Sequence, residues 1–137
     1  MEDPDFGFIT FFQPEKNKSH GIWQMEEEWE MPEDSAIILC TEIPGDEHGP
    51  FKASRDFLLS QSKNLDKIWK ICQQALLAHS TRWYSGDECT NLKEIYWMST
   101  FAVSCSDCVV FEVGFESKED HPLGQIYIEI VDGKINE

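Results

Sequence analysis

A chain of 137 residues with 41% apolar and 12% aromatic residues, five Trp and nine Phe among them, can bury a sizeable core, which excludes intrinsic disorder and predicts one domain rather than two. Against 11 Lys and Arg stand 26 Asp and Glu, a formal charge of −15 that phosphate backbones and anionic lipid would repel, so direct nucleic-acid and membrane binding are set aside. The longest apolar run, Ala36 to Cys40, is five residues where a membrane-spanning helix needs about 20, and the acidic start is unlike a secretory leader, so residence in the cytoplasm is expected.

Residues 6–13 carry Phe on both alternating sets and read as a central strand covered on both faces. A turn-forming stretch follows at 14–21. In residues 22–31, Trp23, Met25, Trp29 and Met31 share one parity, while Gln24, Glu26, Glu28 and Glu30 share the other. This predicts one strand with tryptophans toward the core and an acidic stripe in water, ended by Pro32. A third strand is expected at 35–43, and residues 44–50, with Asp46 and Glu47, form a loop by composition.

Between 51 and 81 the apolar spacing changes to three and four: Leu65, Ile68, Trp69, Cys72, Leu76. A short and a long helix are predicted, broken at 62–64, with Asn64 capping the second and Asp66 in its first turn. Thr90 is placed to cap a short helix at 91–96. A hairpin is expected with Ser106-Asp107 as its turn, Phe101 and Val103 leading in, and Phe111, Val113 and Phe115 alternating on the way out. Ile126, Ile128 and Ile130 then alternate in a last strand before the turn Asp132-Gly133. The order predicts an α+β domain: a mainly antiparallel sheet from the N- and C-terminal strands, with two or three central helices packed on one face.

The five cysteines, Cys40, Cys72, Cys89, Cys105 and Cys108, are odd in number and mostly sit in apolar surroundings, which fits reduced, packed thiols. Cys105 and Cys108 have the spacing of a redox or zinc motif, but the pair straddles a hairpin rather than opening a helix, and Cys89 and His121 lack the spacing of further ligands. His20, His48, His79 and His121 stand in no nucleophile or metalloenzyme motif. The glutamates at 26, 27, 28 and 30 have a catalytic reading as paired carboxylates, outweighed by that of a solvated face. Asp46-Glu47-His48 lacks the spaced carboxylates of a calcium loop. No cofactor, no metal and no enzymatic activity are expected.

Charge position is more informative. Half of the acidic residues, 13, fall in residues 1–47 with only Lys16 and Lys18 against them, so this third of the chain carries −11 of the −15. Clustered negative potential speeds capture of a cationic protein. The partner-binding candidates are Glu26, Glu28 and Glu30, with Asp46 and Glu47 in the adjoining loop. Trp23 and Trp29 would anchor an interface if exposed, although their parity assigns them to the core.

The plan of the chain resembles a family of proteins. The run from Asn64-Leu65-Asp66-Lys67-Ile68-Trp69 through Ala75-Leu76-Leu77, the hairpin, and the closing Asp120-His121-Pro122-Leu123-Gly124 with Asp132-Gly133-Lys134 are similar to small acidic bacterial immunity proteins, which neutralise polymorphic or contact-dependent toxins. The resemblance implies a non-catalytic inhibitor whose partner is a basic toxin domain, many such toxins being nucleases. The rival readings are a metal- or redox-responsive protein built on Cys105 and Cys108, and a hydrolase using carboxylates.

Overall fold

A computed structural model describes residues 1–12, 20–80, 92–103, 110–118 and 124–136. Its strands are β1 (Glu2–Asp3), β2 (Gly7–Phe12), β3 (Gly21–Met25), β4 (Trp29–Met31), β5 (Ala36–Asp46), β6 (Gly49–Pro50), β7 (Tyr96–Val103), β8 (Val110–Ser117), β9 (Gln125–Val131) and β10 (Lys134–Ile135). The α-helices are α1 (Lys52–Ser62), α2 (Leu65–Ser80) and α3 (Leu92–Ile95). The α+β class holds, with the sheet dominant. All ten strands join one sheet in the order β1-β2-β3-β5-β7-β8-β9-β10, with β4 and β6 also pairing β5.

The sheet is mixed. Every described pair is antiparallel except β5 with β7, which the helical segment between them allows to run parallel. The centre therefore belongs to β5 and β7. The expectation of a central first strand is corrected: β2 has only the two-residue β1 beyond it, and Phe8 and Phe12 on its outward parity are exposed. Phe6 shares their parity in sequence yet is buried, because Gly7 at φ +70° breaks the alternation between them.

The predicted single strand at 22–31 is also corrected. Gln24 pairs with Glu42 and Trp29 with Ile38, so four residues on one side face three on the other. The extra residue is a bulge that separates β3 from β4 along the same edge of β5. Both tryptophans still turn inward. Trp23 is buried and donates from Nε1 to the Asp46 carbonyl at 2.9 Å, while Trp29 packs against Phe6 and Phe101 at 5.4 and 6.5 Å between ring centroids. Residues 44–46, expected in a loop, continue β5, and Glu47-His48 turn the chain into β6.

The helices divide as expected, with Asp66 in the first turn of α2. The side chain of Asn64, however, donates to the Ser60 carbonyl of α1 at 2.8 Å and so closes the preceding helix. Tyr96, expected in the third helix, opens β7. Thr90, Asn91 and the predicted turn Ser106-Asp107 lie outside the described residues, but β7 and β8 pair antiparallel from Tyr96 with Ser117 to Val103 with Phe111. Asp132 and Gly133, at φ +51° and +78°, form a two-residue turn of the kind that matches strand twist, and it leads into β10.

Tyr96, Met98, Phe101 and Val103 of β7, Phe111, Val113 and Phe115 of β8, and Ile128 and Ile130 of β9 form the core with Ile38 and Ile43 of β5. Helical aromatics meet this face: Phe57 packs on Phe111 at 5.6 Å and Trp69 on Phe115 at 5.1 Å. The N-terminus is tied to α1 by Asp3, which accepts from both terminal guanidinium nitrogens of Arg55 and from the backbone N–H of Asp5 and Phe6 at 2.9 and 3.2 Å. These donors hold the Asp3 carboxyl below its ordinary range.

Candidate functional site: the outward face of the sheet

The five expected partner-binding residues do not form one patch. Glu26 follows the end of β3 and accepts from the Thr10 hydroxyl, Glu28 lies in the bulge, and Glu30 sits on β4 opposite Ile37. Asp46 and Glu47 lie at the other end of β5, where Asp46 accepts from the His48 N–H at 2.9 Å and Glu47 faces the His48 ring at 3.6 Å. From Ile37 to Asp46 is nine residues of strand, roughly 30 Å at about 3.3 Å each. The bulge breaks the stripe that unbroken alternation would have made.

Pairing assembles a different acidic row, on the face opposite Phe101 and Phe111. Gln24, Glu42, Ala102, Glu112 and Glu129 stand side by side across β3, β5, β7, β8 and β9. Glu112 and Glu129 are direct cross-strand partners, with strands about 4.8 Å apart, an arrangement that like charges disfavour. Burial and the neighbouring Glu42 and Glu129 raise the pKa of Glu112 above its ordinary value. Gln24 donates to Glu42 at 3.3 Å and Asn136 to Glu129 at 2.6 Å. Among the described residues no Lys or Arg forms an ion pair with any of the three glutamates. No Lys or Arg occurs at all in β1 to β9; Lys52, Arg55 and Lys70 lie on α1 and α2.

The next row along the strands is Cys40, Thr100, Gly114 and Tyr127. A side chain on Gly114 would meet Thr100 Cβ at 2.7 Å and Tyr127 Cε1 at 2.8 Å, so the Tyr127 ring lies across the glycine. Tyr127 donates to Gln125 at 2.9 Å, and Gln125 donates to Glu116 at 2.6 Å, which fixes the ring. Phe8 and Phe12 at 49% exposure, Leu39 at 48% and Tyr127 at 54% give this acidic sheet an apolar component. Cys40 is exposed, and desolvation with the charges of Glu42 and Glu112 pushes its thiol pKa up, away from nucleophilic thiolate. Cys72 is buried, with its pKa pushed up to about 12 by desolvation.

Cys89, Cys105, Cys108 and His121 lie outside the described residues. Among those described, no three His, Cys, Asp or Glu side chains converge to hold a metal, and no helix is long and apolar enough to cross a membrane. A shallow polar cleft of about 350 Å³ lies at the α1–α2 corner, lined by Asp34 and residues 62–67. Glu112, Glu129 and Tyr127 belong to the outward parity of their strands and were legible individually. Their neighbour Glu42, 70 residues away from Glu112 in the chain, was not. No family model, curated protein or solved structure matches this chain.

Proposed function

We propose that this chain is a non-catalytic binding protein of the immunity type, acting in the cytoplasm, which captures a basic toxin domain and occludes the cationic surface with which that toxin engages its substrate. The reading takes the helices to pack on one face of the sheet and leaves the other for the partner. One observation carries it: nine consecutive strands contain no Lys or Arg, while their outward positions hold glutamates beside half-exposed aromatic side chains. A merely solubilising surface mixes both signs of charge, whereas single-sign potential steers an oppositely charged protein.

Capture by the full chain from lysate of the producing cell, at low salt, is expected to retain a cationic protein whose activity falls at equimolar ratio. Retention without inhibition, or no cationic protein retained, sinks the proposal.

A further inference from the structure

The exposed sheet face carries two kinds of group that a cationic side chain uses together. Tyr127 presents a ring laid across Gly114 and fixed through Gln125 and Glu116. One row along, Glu112 and Glu129 stand on adjacent strands, close enough for a single planar guanidinium to meet both. Glu42 is two strand spacings from Glu112, about 10 Å, with only the small Ala102 between them. Leu39 near Cys40, and Phe8 and Phe12 on β2, add half-exposed apolar surface.

We infer that this face is the docking surface for a cationic protein partner, which places an arginine on the Tyr127 ring with its guanidinium against Glu112 and Glu129, and a second cation at Glu42. The inference rests on the proposed capture of a basic protein and locates it on residues other than Glu26, Glu28, Glu30, Asp46 and Glu47. Charge complementarity selects the occupant. A second copy of this chain would bring −15 against −15, while a cation offsets the burial and the Glu42 and Glu129 charges that together disfavour ionised Glu112. Arginine is preferred to lysine because its flat group stacks on a ring and forks to two carboxylates at once.

The test titrates the full chain at low salt with a synthetic peptide of alternating arginine and leucine, its lysine counterpart and its uncharged citrulline counterpart, mapping backbone amide shifts by NMR. Expected are shifts centred on β5, β8 and β9, arginine tighter than lysine by about threefold, and no citrulline binding. The triple variant Glu42→Gln, Glu112→Gln, Glu129→Gln should weaken binding by about tenfold or more, and Tyr127→Leu should abolish the arginine preference while keeping Gly114 covered. The control triple Glu28→Gln, Glu30→Gln, Glu47→Gln removes the same charge and should change affinity less than about twofold. Circular dichroism checks that each variant folds.

Equal loss in both triples would overturn the docking face and leave capture of basic proteins standing as a net-charge effect. Shifts centred on the N-terminal acidic residues would do the same. Wild type that binds none of the charged peptides overturns both readings. Calcium or magnesium alone reproducing the shifts would replace the protein partner by a metal, and concentration-dependent self-association through the same residues would replace it by a second copy.

Discussion

Thr41 sits on the core face of β5 with its hydroxyl buried and without a hydrogen-bond partner among the described residues. A buried unsatisfied hydroxyl costs more than its methyl counterpart of similar shape. Thr41→Val is expected to stabilise by about 1 kcal/mol, seen as a rise of roughly 3–5 °C in Tm; a fall would reveal a partner for that hydroxyl. Asp3 and Glu112 are opposite titration cases. Asp3 is held below its ordinary 3.8, so its contribution is full above that pH and is lost as pH falls through the lowered value. Glu112 keeps its proton above the ordinary 4.5, so its contribution declines as pH rises from there through the raised value. Glu112→Gln should therefore be more stable than wild type at pH 7, with the advantage gone below the ordinary glutamate range. Asp3→Asn should instead cost about 3 kcal/mol at pH 7 by leaving Arg55 underpaired, a loss that narrows in acid. Urea denaturation from pH 3 to 8 checks both signs.

Within the strands, small irregularities decide which side chains reach solvent. The bulge between β3 and β4 uses one extra residue, and a second irregularity sets Met98 opposite Phe115 but Thr100 opposite Gly114, so Ser99 drops out of the alternation. Gly114 shows the cost of close approach on the outward face. Gly114→Ala would drive a methyl group into Thr100 and Tyr127 and should destabilise by about 1–2 kcal/mol, with the Tyr127 ring displaced and its NMR signals shifted. Stability unchanged with Tyr127 in place would mean that the ring does not lie across the glycine. The turn into β10 works the other way, since Asp132-Gly133 fits the local twist and needs no compensation from elsewhere.

For the molecule as a whole, the joint between its two halves is the parallel pairing of β5 with β7, supported by Trp29 against Phe101. Neither half has its own sheet or its own core cluster. One cooperative unfolding transition is expected, with calorimetric and van't Hoff enthalpies equal; separate melting of residues 1–47 would show two units. Charge gives a second test at this level. At −15 the native chain repels itself, so raising salt from about 0.02 to 0.5 M should increase Tm while slowing association with a cationic protein, because both interactions are screened. Opposite signs in the two measurements would separate the folding and binding consequences of the same charge. A Tm that falls with salt would mean that attractive pairs such as Asp3–Arg55 outweigh the repulsion.

Periodicity of two placed Phe111, Val113 and Phe115, and Ile126, Ile128 and Ile130, on common faces, and spacing of three and four placed Ile68, Trp69, Cys72 and Leu76 on one side of α2; the structure agrees because these patterns are local to a single element. The class of fold followed from the same signals. Only pairing decided the rest. No property of residues 6–13 says that β2 lies near an edge, since strand order depends on how the helical crossover sets β7 beside β5. An unbroken period of two puts residues 26, 28 and 30 in one acidic stripe, and one bulge divides it. Glu42, Glu112 and Glu129 became neighbours through register between strands distant in sequence, which the alternation within each strand does not encode. Composition thus determined that the chain is negative, and local sequence that the segments forming β1 to β9 hold no Lys or Arg, while tertiary pairing decided where the negative charges converge, because a strand's own pattern specifies its faces and not its neighbours.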